Sequence, residues 1–284
     1  MKKAVFLALI VCLALPCACR KEPSDGVTPV KRDPGQLKVM TFNIRSKTNE
    51  KDFFNNWCMR GGACRMMVED QQPSIVGMQE LVQEQWDYMN ETLTMKGYAA
   101  VGEKDCMNSY LYRPDELTVE QTDLFWLTNT PDRSSESWDG YVRSARWTIM
   151  RINATGQRIF YVTTHLGLTS DSRQKAMNLI TARIKQYNTD NLPVILMADF
   201  NIPADNSLFD GIRATMDNSR EVAPVTDDID TYNAWNGTNG VPCIIDMIWL
   251  SKSIECSEYC TVTKSYDGHR FISDHYPVYA MIKL

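Results

Sequence analysis

The chain predicts an α/β or α+β sandwich built on two β-sheets, and three observations lead there. From Gln36 onward, short apolar runs alternate with stretches of helical period. Between residues 108 and 165 several strand-like segments follow one another with no helix between them, which argues against a single parallel, doubly wound sheet. The stretch 36–284 has no internal repeat and no second linker, and 44% of the sequence is apolar, enough for one sizeable core.

The elements follow in order. Leu37 to Ile44 is rich in β-formers, and Ser74 to Met78 reads as a buried strand. Residues 53 to 70 can form a helix between them, although Gly61-Gly62 weakens it by ~1 kcal/mol per glycine relative to alanine. Val82, Trp86, Met89 and Leu93 recur at i, i+4, i+7 and i+11, one face of an amphipathic helix that core packing explains fully. Strand-like segments then crowd together at Ser109 to Tyr112, Leu117 to Leu127, Trp147 to Ile152 and Arg158 to Thr164. Ser170-Asp171 can cap a helix running to Tyr187, with Ala176, Ile180 and Ile184 on one face. Further strands are expected at Pro193 to Met197, Ile244 to Leu250, near Ile254 to Val262, and from Pro277 to Leu284.

The first residues read as a targeting segment. Lys2 and Lys3 precede an apolar run from Ala4 to Leu15, too short to span a bilayer, and Cys17 and Cys19 follow. Residues 1–18 look like a bacterial lipoprotein signal with Cys19 as the lipidated residue. Cys17 is the alternative acceptor, and an ordinary cleaved secretory signal is the other reading. Residues 19–35, rich in Pro, Gly and charge, read as a flexible tether to the domain at 36–284. The chain is thus expected to be exported and lipid-anchored in the cell envelope, facing the periplasm or the cell surface, as a monomer.

Net charge is −5, and removal of 1–18, with its two lysines and no acid, takes it to −7. An acidic surface counts against non-specific grip on nucleic acid, which works by counterion release from Lys and Arg. Of the nine cysteines, Cys58, Cys64, Cys106, Cys243, Cys256 and Cys260 lie in the domain. Buried free thiols are the common outcome in a domain of this size, and Cys256 and Cys260 are close enough in sequence to pair if the segment turns. No histidine stands at zinc-ligand spacing from a cysteine pair.

The chemistry-bearing pattern is the set of polar residues that close the buried strands. Asn43 ends the first and Gln79-Glu80 the second. Thr164-His165 and Asp199-Phe200-Asn201 end two later ones. Asp246 interrupts the apolar Ile244-Ile245-Asp246-Met247-Ile248, and Ser273-Asp274-His275 precedes the last strand. A carboxylate placed directly after or inside an apolar strand is costly unless it is paired or coordinates something. Six such sites, with four carboxylates, two imidazoles and three amides, predict convergence at one rim of the sheets. His269, the remaining histidine, sits in a polar loop and is expected to face solvent.

Taken together, these motifs resemble the endonuclease/exonuclease/phosphatase (DNase I-like) superfamily, over essentially all of 36–284 and in the family's order. The nearest likeness is to the bacterial branch common as lipoproteins in Bacteroidetes, through Phe125-Trp126-Leu127, Thr130-Pro131 and Val142-Arg143 ahead of Trp147. The resemblance implies a four-layer sandwich, two packed mixed sheets flanked by helices, and a metal-dependent phosphohydrolase that attacks a phosphodiester or phosphomonoester in line with activated water. It implies Mg²⁺, with Mn²⁺ as the alternative, held by Glu80, with Asn43 and Asp274 contributing. Asp199 would activate water, and Asn201 would bind phosphoryl oxygens. His275 would stabilise the transition state, oriented by Asp246. His165 would face the leaving group, and Asn43 and Arg143 would contact substrate. Where related bacterial sequences read Thr-His-Leu-Asp, this chain has Gly167. Ala198 replaces a usual Gly, and Ile244 a common Arg. The rival readings are a nuclease of the same superfamily and a non-catalytic glycan-binding lipoprotein, the latter suggested by seven tryptophans. Selectivity is expected in loops 102–109, 128–142 and 219–243.

Overall fold

The computed structural model describes residues 30–48, 50–102, 107–237 and 243–284. The expected leader with Cys17 and Cys19, and also Cys106, lie outside the described residues. At the end of the segment read as a tether, Arg32 pairs with Glu116 and donates to the carbonyl of Gln72, so the chain is already fastened to the domain there.

The first sheet starts with β1 (Gln36–Asn43), followed by α1 (Trp57–Gln71), β2 (Ile75–Gln79), α2 (Gln83–Thr94), β3 (Ala99–Val101) and β4 (Asn108–Tyr112). The second is built from β5 (Leu117–Trp126), β6 (Ser144–Ile152), β7 (Arg158–His165), α3 (Ser170–Tyr187) and β8 (Val194–Asp199). The short α4 (Asp210–Arg213), β9 (Met216–Asn218), α5 (Ser219–Val222) and then β10 (Asp246–Ser251) complete it. The chain returns to the first sheet through β11 (Glu255–Thr261) and β12 (Val278–Lys283). The strand orders are β11-β12-β1-β2-β4-β3 and β5-β6-β7-β8-β10-β9, six strands each. Each sheet contains one parallel pair joined by a helix, β1-α1-β2 and β7-α3-β8, and its other pairings are antiparallel.

Pleating divides the apolar residues among three cores. In β1, Leu37 and Val39 point between the sheets while Met40 and Phe42 point to the helices outside. The inter-sheet core continues through Tyr110, Tyr161, Ile195, Ile248 and Val278. Outside the first sheet, α1 buries Met67 and Val68, and α2 buries Trp86, Met89 and Leu93, in the core they share with it. Outside the second, Trp147 stacks between Phe160 and Tyr187, with ring centroids 5.6 and 4.8 Å away, which fastens the end of α3 to the sheet. The result is the four-layer helix–sheet–sheet–helix sandwich. Gly77 of β2 is where the sheets approach most demandingly: a Cβ there would lie 2.5 Å from the Tyr161 hydroxyl and 2.8 Å from Thr163 Oγ1.

Several boundaries differ from expectation for local reasons. The helix expected over 53–70 begins as a 3₁₀ turn at Phe53–Asn55, and α1 starts at Trp57. Val82 stands before α2 and is partly exposed, so the buried stripe starts at Trp86. The cap of α3 is Thr169, whose hydroxyl accepts from the Ser172 amide, not Ser170 or Asp171. Asp246 starts β10 instead of interrupting it, because Thr231 Oγ1 takes the amides of Ile245 and Asp246. Cys256 and Cys260 do not pair. They lie in the continuous strand β11, and a bulge between Cys256 and Glu258 sends one thiol to the inter-sheet core and the other to the helix side. The three-residue strands β3 and β9 were too short to show a period.

Candidate active site

The two parallel pairs end at one rim, and their registers place polar residues side by side: Asn43 opposite Gln79, and His165 opposite Asp199. Antiparallel neighbours begin where these strands end. Asp246 of β10 therefore faces Asp199, and Asp274-His275 lie just ahead of β12, which runs beside β1. All of Asn43, Glu80, His165, Asp199, Asn201, Asp246, Asp274 and His275 come together there, and all but Glu80 and Asn201 are buried. His269 does not; it is half-buried in a turn with Tyr266.

Glu80 and Asn201 are each the first or second residue past a strand, and each holds a left-handed backbone, with φ of 66° and 54°. Asparagine tolerates this conformation, but glutamate is unfavourable there, so the surroundings must hold it. Ser46 does so twice, its hydroxyl donating to the Glu80 carbonyl at 2.8 Å and its amide to Oε2 at 3.1 Å. Gln85 secures the same loop by accepting from the Lys47 amide and donating to the Arg45 carbonyl. Arg60, buried without an exposed face, ties the loop to the segment before Asp274 by donating to the carbonyls of Ile44, Arg45 and Ile272.

Asn43 donates Nδ2 to Glu80 Oε1 at 3.1 Å and to Asp199 Oδ2 at 2.9 Å, while its Oδ1 accepts from the Arg45 amide. Its donor thus holds two carboxylates together, and its oxygen is turned toward the backbone. Burial opposes charge on Glu80, but His165, the Ser46 amide and Asn43 outweigh it and depress its carboxyl to about 2.

Asp199 Oδ2 is the hub of the site. It lies 3.3 Å from His165 Nε2 and 3.7 Å from His275 Nε2, while Oδ1 accepts from the Asn201 amide. Burial, then the charge of Asp246, push the Asp199 carboxyl up. His275 Nδ1 meets Asp246 Oδ2 at 2.8 Å, which fixes Nε2 toward Asp199. Burial would lower the His275 imidazole, but Asp246 and Asp199 override it and raise it to about 10. His165 goes the other way, lowered to about 4 by burial and then by Arg143, against the pull of Asp199 and Glu80. Asn201 donates Nδ2 both to His165 Nε2 and to the Leu166 carbonyl, at 2.9 Å each. His165 Nε2 is therefore an acceptor, and Asn201, which lines the cleft, directs its donor hydrogens to these two partners and not to the open space.

The cleft above this rim has a volume of ≈ 760 Å³. Arg143, expected to meet substrate, lines it, as do Tyr141 and Val142 from one expected selectivity loop and Met107 and Cys243 from the two others. Residues 103–106 and 238–242 of those loops lie outside the described residues. Several lining residues were given no role from the sequence: Arg45, Ser46, Thr48, Leu168 and Pro203, and also Tyr232, which lies in the expected 219–243 loop but was not singled out. Arg45 Nη1 reaches Asp274 at 3.5 Å, and the Tyr232 ring lies 4.9 Å from the His275 ring through a backbone bridge. Arg45 follows Asn43 by two residues and was findable. Tyr232 is brought in by a loop that carries no periodic signal.

The donor set suits a hard dication. Four carboxylates, of Glu80, Asp199, Asp246 and Asp274, share one small volume, and Asp246 Oδ1 is buried without a hydrogen-bond partner. Asp199, Asp246 and His275 also bring ligand atoms within 4.8 Å of one another, but His275, protonated and paired through Nδ1 with Asp246, leaves the carboxylates as the donors. Burial raises the Asp274 carboxyl, and a bound cation would offset that cost.

A family model for the Endonuclease/Exonuclease/phosphatase family matches residues 40–275. Among solved structures, a mannosyl-6-phosphatase from Bacteroides thetaiotaomicron is 26% identical with a TM-score of 0.78, covering 87% of this chain and 100% of the other. Another family protein from the same organism is 26% identical with a TM-score of 0.78, over 88% and 98% of the two chains. One from Bacteroides vulgatus is 26% identical with a TM-score of 0.77, over 88% and 99%. No curated protein matches the chain. The paired β-α-β rims, the polar residues that close them and this coverage agree: the chain belongs to the endonuclease/exonuclease/phosphatase family.

Proposed function

We propose that this chain is a Mg²⁺-dependent phosphohydrolase, and that its substrate is a phosphomonoester of compact shape. The observation that carries the reading is Asp199 Oδ2, set within 3.3 and 3.7 Å of two imidazole nitrogens and 2.9 Å from the Asn43 amide. An oriented carboxylate between a neutral and a cationic imidazole can take a proton from water on one side while positive charge faces the phosphoryl group on the other. As the water oxygen bonds to phosphorus and the ester P–O bond breaks opposite it, the water proton passes to Asp199, and the leaving alkoxide takes a proton from solvent in the open cleft. His275 carries its proton through neutral pH and neutralises charge on the phosphoryl oxygens, with Asp246 holding its Nδ1. The Asn201 amide fixes the other oxygen of Asp199, and the Asn201 side chain orients His165. Glu80 and Asp274 would hold Mg²⁺, with Asn43 aligning Glu80; bound there, the metal would supply charge neutralisation and orientation of the phosphate.

The monoester preference rests on charge. Besides His275, which Asp246 and Asp199 already face, Arg45 and Arg143 are the cationic side chains among the described lining residues, and Glu50, Asp274 and Asp139 already face them. That leaves no free basic track for a nucleic-acid backbone. The mannosyl-6-phosphatase likeness makes a sugar phosphate the first substrate to try. The deciding assay compares sugar phosphates, an aryl phosphomonoester, an aryl phosphodiester and single-stranded DNA with Mg²⁺, Mn²⁺ and EDTA, with Glu80→Ala as control. The monoesters should be turned over fastest, and EDTA should abolish turnover. DNA cleavage at a comparable rate would reverse the order, and hydrolysis that survives both EDTA and Glu80→Ala would sink the metal role. Envelope anchoring through Cys19 is proposed alongside, and is tested by palmitate labelling that Cys19→Ser should abolish.

A further inference from the structure

We propose that Asp139 is a positioning residue for substrate binding: its carboxylate fills the space left by Gly167, latches two loops of the cleft together and aims Arg143 at the phosphate. This rests on the phosphohydrolase reading only in its last clause.

The loop between β5 and β6 closes in a tight turn, with the Glu136–Val142 backbone bridge, Ser137 accepting from the Gly140 amide, and Gly140 at φ 82°. Asp139 at its tip is an acid on an exposed turn, where a side chain would ordinarily stay in water. Its side chain is instead 0% exposed. It reaches inward and accepts from the Leu168 amide at 3.0 Å with Oδ2 and from its own loop's Tyr141 amide at 3.3 Å with Oδ1. Arg143 Nε stands 3.6 Å from the same Oδ2, and its guanidinium lies 5.4 Å from the Tyr141 ring. Arg143, Tyr141 and Leu168 all line the cleft.

Glycine at 167 is what lets the carboxylate in. A Cβ there would fall 2.7 Å from Asp139 Oδ2, closer than real Cβ contacts come, and 3.0 Å from its Cγ. The backbone at Gly167 is not left-handed, so space and not strain is the reason for glycine. One buried carboxylate thus joins the Ser137–Arg143 loop to the turn after His165, and supplies the negative partner that keeps the Arg143 guanidinium between Asp139 and Tyr141. Arg143 Nε is buried with no hydrogen-bond partner, so the Asp139 carboxylate at 3.6 Å is the anion that holds it, and without that charge a long side chain with free rotamers has no reason to keep one pose.

The test uses Asp139→Ala, Asp139→Asn, Gly167→Ala and the Asp139→Ala/Gly167→Ala pair. Both Gly167→Ala forms are made in a Ser172→Ala background, because the added Cβ would also lie 2.3 Å from Ser172 Oγ. Asp139→Ala and Gly167→Ala should each raise KM for the best phosphomonoester about tenfold, the scale of one charge-assisted contact, with kcat within about threefold. Asp139→Asn, which keeps the amide bond to Leu168 but not the charge, should fall between. The pair should be no worse than the poorer single change, since both remove one contact. Independently of turnover, amide hydrogen exchange at Leu168 and Tyr141 should rise about tenfold in Asp139→Ala, while amides of β8 keep the parent rate. Unchanged exchange at both amides overturns the latch; a kcat loss without a KM change, or additive singles, overturns the positioning role. If the parent hydrolyses no phosphoester, the proposed function fails while the exchange result still decides the latch.

Discussion

His165 and His275 flank the same oxygen, Asp199 Oδ2, at 3.3 and 3.7 Å, and both are buried, yet they are driven in opposite directions. His275 has a carboxylate, Asp246, on its other nitrogen at 2.8 Å and is raised to about 10. His165 has Arg143 nearby, an amide on Nε2 and no hydrogen-bond partner on Nδ1, and is lowered to about 4. Burial acts the same way on both. What differs is the partner on the nitrogen facing away from Asp199, so the far neighbour decides which imidazole is a cation.

Removing the cation should have the largest effect. His275→Ala should lower kcat by on the order of a thousandfold in a steady-state assay, as loss of a charge-stabilising group at phosphorus does. A smaller loss than that from His165→Ala would invert the comparison. Next comes the partner alone: Asp246→Asn should cost on the order of a hundredfold in kcat. With the largest raising influence gone, His275 should titrate nearer its ordinary value, so the variant's kcat should fall as pH rises above neutrality where the parent's does not. His165→Gln should lower kcat only about tenfold and leave the pH profile unmoved, because an uncharged group replaces an uncharged one. A displaced limb would show that His165 carries a proton after all.

The smallest and most discriminating effect is on stability without metal. His275, raised in the fold, contributes stability that is complete below its ordinary 6.5 and is lost as pH rises through about 10. His165, lowered in the fold, contributes stability present above 6.5 and lost as pH falls through about 4. Thermal unfolding should therefore lose its alkaline slope in His275→Gln and part of its acid slope in His165→Gln. Glu80, depressed from 4.5 to about 2, acts in a lower window, so Glu80→Gln should leave the 6.5-to-4 slope intact.

Much of this site was legible in the chain because a buried strand that ends in a carboxylate, an imidazole or an amide violates the ordinary apolar pattern. Asn43, Glu80, His165, Asp199 and His275 all announced themselves in that way. Asp246 did too, although it proved to begin its strand. Arg45 and Tyr232 were silent, since an arginine past a strand end and a tyrosine in an irregular loop are ordinary surface residues until something packs on them. Asp139 was less visible still: an acid in a turn, beside Trp138 and Gly140, reads as solvated.

The sequence by itself determined the two sheets and the rim, because hydrophobic period and strand-end polarity are local properties of the chain, while the four layers came with the family resemblance. It also exposed Gly167 as a departure from related sequences, without saying what fills the gap. Only the tertiary structure decided which imidazole is charged, where the Asn43 and Asn201 amides point, and which distant carboxylate enters beside Gly167. Those depend on distances of a few ångströms between residues up to 156 positions apart, as between Asn43 and Asp199. Burial multiplies the effect of each such neighbour on a charge, and no local pattern encodes which neighbour it will be.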